Sequence, residues 1–360
     1  MSRLKKIPFI FLLIVLISFS TIHVFAAEEK SYTERAIVSG YGQVIVVDPA
    51  VPEVVASIKV DGPVRDMSFT KDGKKGIVNA NDRKSIYVID TVNNKVIDKI
   101  TLTARTDKGL LDRRILGATI SPDGSKAYVF VTQGEKRINI FKSHPSKLLE
   151  IDLKTKEVTR DLKAPYGIQA LQFKEGDPNA VFVWGYDLYK LDLKKWELSL
   201  KQGIKNAENP EKDGIGGFLL LFPRGEENGF NSFPIIKSYP DGRVTEGLMW
   251  MNMKTEEIKS VAFDREPIGM FSAVVDKQEK YGYAILNHWY KVELATGKVV
   301  KDSKPPTGSI YGLNTSLDET KLYLGAGGND FIVADRDLNV EKIIKLPTDG
   351  MDVRVVKIQK

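Results

Sequence analysis

Apolar and polar positions alternate along this chain in short runs, and the runs come in sets. Over 64–102 the alternation predicts four strands: 64–69 (VRDMSF), 76–80 (GIVNA), 86–90, and 96–102 (VIDKITL). Lys71-Asp72-Gly73-Lys74 supplies the turn between the first two. The set recurs with SPDGSK at 121–126 and SLDETK at 316–321, and the polar turn DTVNNK at 90–95 returns as DLKTKE at 152–157 and ELATGK at 293–298. The third strand carries the clearest signature, an apolar run ending in an acid or amide: IVVD at 45–48, YVID at 87–90, LEID at 149–152, YKLD at 189–192, MWMN at 249–252, YKVE at 290–293 and IVAD at 332–335. From Asp48 through Asp90, Asp152, Asp192, Asn252 and Glu293 to Asp335, four of the six intervals are 40–42 residues and the other two 60–62. The shorter interval is the period of a propeller blade. A lone four-stranded sheet buries neither face, so each must pack on its neighbours. The pattern predicts an all-β fold, a seven-bladed β-propeller of four-stranded antiparallel blades.

The chain ends predict how the ring closes. The N-terminal part starts in mid-blade, with strands near 34–39, at IVVD and at 54–60, while the C-terminus adds one alternating strand at 352–358. Together they make one blade. The pairing hides two sheet edges that would otherwise attract other chains, and losing the last ten residues is expected to open it.

Before the ring lies an apolar segment of a different kind. Arg3, Lys5 and Lys6 precede a nearly unbroken apolar stretch at 7–19, and Val24-Phe25-Ala26 fits a small-residue cleavage rule. Residues 1–26 therefore read as an export signal and 27–360 as a single domain. The chain is expected outside the cytoplasm: extracellular, associated with the cell envelope, or periplasmic, with no membrane anchor after cleavage. It has no cysteine, which excludes a disulfide framework and a lipid-attachment cysteine. The formal charge of +6 drops by three with the signal. No basic stripe with interleaved aromatics is present, so nucleic acid is not an expected partner.

The two long intervals place extra sequence at 103–114 (TARTDKGLLDRR) and 132–147, and around 202–216. In a meander propeller the first-to-second and third-to-fourth turns share one face, here the turn face. Second-to-third turns and blade crossovers share the other, the crossover face. Most of the inserted loop length falls on the crossover face, where a propeller places function. Binding candidates there are Arg65 and Asp66, Arg113 and Arg114, and Arg265 from the crossovers. The second-to-third turns add Asn81 and Asp82, His288, and Asn329 with Asp330. Arg65, Arg113 and Arg114 are the sharpest, since a guanidinium fork holds a carboxylate or a partner's backbone. The competing reading for them is ion pairing with Asp66 and Asp112.

Catalytic chemistry is sparse. After cleavage the histidines are His144 and His288, too few for a His-rich zinc site. C-x-x-C-H haem attachment and a Cys–His nucleophile are excluded. GAGGND at 325–330 follows a strand but opens no helix, so it reads as a loop and not a phosphate cradle. A hard cation held by Asn81, Asp82 and Asp330 is one reading of those turns, and solvated turn residues the other. No catalytic or metal residue is assigned, and no covalently bound cofactor is expected.

The stretches VNANDRKSIYVIDTVNNKVIDKI at 78–100 and SPDGSKAYV at 121–129 resemble the YVTN-type propeller repeat. YGYAILNHWYKVELATGKVV at 281–300, followed by LDETKLYLGAGGNDFIVADRDLNVEKIIKLPTDGMDV at 317–353, is similar to the closing blades of the β chain of quinohemoprotein amine dehydrogenase. That resemblance implies a non-catalytic scaffold beside a dihaem cytochrome chain and a small quinone-bearing chain, contributing walls around a site whose reactive groups belong to others. The apolar GGFLLLF at 216–222 departs from a plain blade. Two other readings stand beside it: a free extracellular propeller that binds a protein or cell-envelope ligand, and a metal-assisted hydrolase or lactonase.

Overall fold

A computed structural model describes residues 31–218 and 229–360. The expected signal segment, and the part of the apolar stretch at 219–222, lie outside the described residues. Residues Tyr32–Lys360 form one compact unit.

The described residues form seven antiparallel sheets. In the first blade Val353–Gln359 is innermost, followed outward by Tyr32–Ser39, Tyr41–Asp48 and Glu53–Pro63. The C-terminal strand thus closes the ring as expected, with Tyr32 opposite Gln359 and Val38 opposite Val353. The next blades start from innermost strands Asp66–Phe69, Gly109–Ile120, Ala170–Phe173, Ile215–Phe218, Ser272–Val275 and Ile310–Thr315.

Packing explains why blades need each other. The third strand Ser85–Asp90 is buried through its first five residues, whereas the outer strand Lys95–Thr101 alternates exposed and half-buried. Inner strands are covered on both faces by neighbours, and outer strands on one. Seven apolar clusters result, one at each junction between adjacent blades. The closing junction is like the rest: Ala36, Val38, Ile45 and Val47 of the first blade meet Tyr323, Phe331 and Val333 of the seventh, with Val353 and Val355 of the C-terminal strand. At the same junction the Tyr323 hydroxyl donates to Glu34 (2.7 Å) and the Leu317 amide to its other oxygen (3.0 Å).

The repeated acid at the end of each third strand is turn chemistry. Asp90 Oδ1 accepts from the amides of Val92 and Asn93, Asp152 from Lys154 and Thr155, and Asn252 from Lys254 and Thr255, all at 2.8–3.0 Å. Such side chains satisfy the amides a tight turn leaves open. Glu293 is too long for this and accepts instead from the Thr296 hydroxyl.

The third blade corrects the expectation of irregular inserted loops at 103–114 and 132–147. Most of those residues are strand: Ala104–Thr106 pairs onto the long strand Gly109–Ile120, which pairs with Lys126–Lys136, itself paired with Phe141–Asp152. The short strand Ala104–Thr106 adds a fifth to the four strands of this blade. Its inner hairpins run about five residues past those of the second blade, a projection of roughly 17 Å at the rise of a strand. Leu111–Arg114 therefore lies within a strand and is not a crossover loop. The insert around 202–216 is loop plus a short helix, Pro210–Asp213, capped by Asn209.

Candidate functional site

Arg65 stands in the crossover from the first blade to the innermost strand of the second, with its amide donating to the Asn79 carbonyl (2.8 Å). Asn81, Asp82 and Arg83 turn the second strand of that blade into the third. All three have left-handed backbones, φ 55°, 52° and 66°. One such residue is ordinary for Asn or Asp, but a run ending in Arg carries strain, on the order of 1 kcal/mol at the arginine. Neighbours hold the run: the Asn81 side chain donates to Ser85 Oγ (2.9 Å), Arg114 Nη1 donates to the Asp82 carbonyl (2.7 Å), and the Ile115 amide donates to the Arg83 carbonyl (2.7 Å).

This turn carries Arg83 to the innermost strand of the next blade, on the crossover side. Its Nη1 reaches the Ile115 carbonyl, on the innermost strand of the third blade, at 3.4 Å. Burial pushes the pKa of this guanidinium down, and the nearby Arg65 charge pushes the same way, against Asp66. Most arginines here have a carboxylate partner: Arg35 with Asp48, Arg114 with Asp112, Arg160 with Glu150, Arg336 with Asp276, Arg354 with Asp66. Among the described residues Arg65 and Arg83 form no ion pair. Two half-buried cations side by side repel each other, and an anion between them would reverse that energy.

The other candidates divide into structural groups and a second rim cluster. Asp66 is buried and accepts from the Met67 and Ala118 amides (2.9 Å each) and from Arg354 Nη2 (3.1 Å). Arg354 Nε also donates to Asp352 (2.9 Å). The Arg354 and Asp66 side chains are 3% and 5% exposed, so this fork pins the C-terminal strand to the second blade. Arg114 grips Asp112 with two donors at 3.0 Å, which is the ion-pair reading. Arg113 donates to Gln133 Oε1 (3.2 Å), and burial pushes its pKa down. In the sixth blade Arg265 (3.4 Å) and His288 (2.6 Å) converge on Asp302, His288 stacking on Tyr290.

Asn81 and Asp82 sit in the second blade and Asp330 in the seventh, where it is buried and paired with Lys345 (2.6 Å). The three are not brought together. Asn329 has φ 67°, and its carbonyl accepts from the Leu346 amide. Among the described residues no group of three acidic, histidine or cysteine side chains is placed to hold a metal.

Sequence reasoning missed Arg83, Arg354 and the apex of the third-blade hairpin. A signal existed for the first: three non-glycine residues crowded between two strands, where a glycine is the usual choice.

No family model matches the chain, and no curated protein matches it. Several solved structures share its fold. A functionally unknown protein from Desulfotomaculum acetoxidans is 13% identical with a TM-score of 0.55, covering 89% of this chain and 98% of that one. Kuenenia stuttgartiensis hydrazine synthase is 14% identical with a TM-score of 0.52, covering 86% and 90%. Apo AztD from Citrobacter koseri is 12% identical with a TM-score of 0.52, covering 91% and 98%. At these identities the likeness is one of fold, and propellers carry many functions.

Proposed function

We propose that this chain is an exported binding propeller whose crossover mouth receives an anionic group, a carboxylate or phosphate, from its ligand or partner. The observation that carries the reading is the Arg65 and Arg83 pair, unpaired among the described residues on a scaffold that pairs most of its arginines. Arg113, half-buried beside Gln133, extends the same positive edge along the third blade. A bidentate guanidinium fork recognises planar anions. The narrower form of the proposal follows the closing-blade resemblance: the partners are a dihaem cytochrome chain and a small quinone-bearing chain, and the propeller lends walls to their pocket.

The test is thermal unfolding of the mature protein with phosphate, citrate or succinate against sodium chloride of equal ionic strength. Binding raises the midpoint in proportion to occupancy. The rise is expected in the native protein and absent in Arg65→Ala with Arg83→Ala. Equal responses in both proteins would remove the mouth as the site. Co-purification from envelope fractions of chains with covalent haem would favour the narrower form.

A further inference from the structure

The third-blade hairpin ends in a feature that neither the ring nor the mouth requires. Lys126–Lys136 turns into Phe141–Asp152 through Arg137-Ile138-Asn139-Ile140, closed by the Arg137 amide donating to the Ile140 carbonyl (2.8 Å). Tight hairpin turns favour Asn-Gly or Asp-Gly. Here the apex residue is isoleucine. Ile138 is 99% exposed, Ile140 61% and Phe141 65%. The Phe141 ring lies against Gly134, where a Cβ would come within 2.2 Å of it, so the glycine makes room for an aromatic ring presented outward.

Charge surrounds this apolar tip. Lys108, Lys136, Arg137 and Lys142 are exposed there, against Asp107 and Glu135, the latter already paired with Arg137 (2.5 Å). One or two residues separate most of these cations from the apex, so they stand about 5 Å behind it at the rise of a strand. An interfacial anchor buries its apolar side chains about 5–10 Å into the headgroup and acyl boundary with its cations on the polar side, a depth this spacing matches. A specific protein interface covers about 800 Å² per partner, and the end of a two-stranded hairpin offers much less. A bilayer needs only a narrow apolar wedge with cations behind it.

We propose that the hairpin apex formed by Ile138, Ile140 and Phe141 inserts into the surface of an anionic lipid bilayer, with Lys108, Lys136 and Lys142 on the lipid phosphates. The insertion holds the exported propeller at a membrane with its crossover face inward. It rests on export of the chain, and not on the anion site at the mouth.

Sedimentation of the mature protein with vesicles tests it. Binding is expected to vesicles of phosphatidylglycerol and phosphatidylcholine, with at least tenfold weaker binding to pure phosphatidylcholine and a steep loss between 0.1 and 0.5 M salt, as charge-assisted insertion requires. Ile138→Ser with Phe141→Ser should weaken binding to the anionic vesicles at least tenfold with only a small shift in the melting midpoint, because Ile138 is 99% exposed and Phe141, 65% exposed, rests on Gly134 at the hairpin end. Lys136→Gln with Lys142→Gln should reduce the preference for anionic lipid. As an independent readout, Ile138→Trp should show a blue-shifted tryptophan emission with anionic vesicles only. No binding to anionic vesicles would overturn the proposal. So would binding that the serine variant retains, which would mean general attraction of a basic protein, or an apex that engages a soluble acidic protein while ignoring lipid.

Discussion

Replacing Arg354 by methionine tests how the ring is held shut. Methionine keeps most of the side-chain volume and removes the charge, leaving Asp66 and Asp352 buried without their shared cation. The Arg354 contacts at 3.1 Å and 2.9 Å join groups no more than 5% exposed, where solvent cannot replace the lost partner. Breaking such a pair from one side costs roughly 3–5 kcal/mol. Unfolding entropy of about 2 cal/mol/K per residue over some 330 residues converts this into a fall in melting midpoint of about 4–7 °C. Thermal and urea unfolding followed by circular dichroism give the shift, with Arg65→Ala as the matched control. Asp66→Asn added to Arg354→Met should recover part of the loss. If Arg354→Met melts within 1 °C of the native protein, the fork does not secure the closure.

Three further outcomes follow from the same geometry. Arg83→Asn relieves both the left-handed backbone strain and the repulsion with Arg65, so it should raise stability by about 0.5–1 kcal/mol while abolishing the anion response; a loss of stability would show that arginine to be structural. Deleting residues 350–360 removes Val353, Val355 and Val356 from two junctions, at about 1.5–3 kcal/mol for each valine, and should replace cooperative unfolding by early proteolysis. Acid should weaken the fold in a defined window. Burial pushes the Glu150 and Glu256 carboxyls up, but donation from Arg160, Lys126, Thr159 and Tyr128 to the first, and from Lys174, Lys190 and Lys201 to the second, outweighs it and holds both at about 2. A lowered folded pKa stabilises above the ordinary carboxylate value and is lost as pH falls through the folded one. Stability should therefore decline between about pH 4.5 and pH 2, by on the order of 1–2 kcal/mol per group after solvent screening, and Glu256→Gln should flatten that decline.

The architecture was legible because its signals are local. Each third strand announces itself through an acid or amide at the start of the following turn, and seven such turns count the blades. Closure was legible because one unpaired strand at each end of the chain needs a partner. Long-range chemistry was not. Asp66 and Arg354 lie 288 residues apart, and nothing in either neighbourhood points to the other, so Asp66 read as a surface partner for Arg65. The third-blade extension read as loop because TARTDKGLLDRR is charged and its alternation is irregular, yet pairing on both sides makes it strand. Arg83 differs: the crowded glycine-free turn at 81–83 marks a strained backbone, but not that this backbone turns a guanidinium toward the next blade.

The proposed anion site lies between Arg65 and Arg83, which form no ion pair among the described residues. Crystals of the mature protein soaked in selenate, a tetrahedral dianion with an anomalous signal, test it directly. An anomalous peak is expected within hydrogen-bonding distance of both Arg65 and Arg83, absent from Arg83→Asn crystals grown the same way. Selenate found only on arginines elsewhere, with the mouth empty, would contradict it.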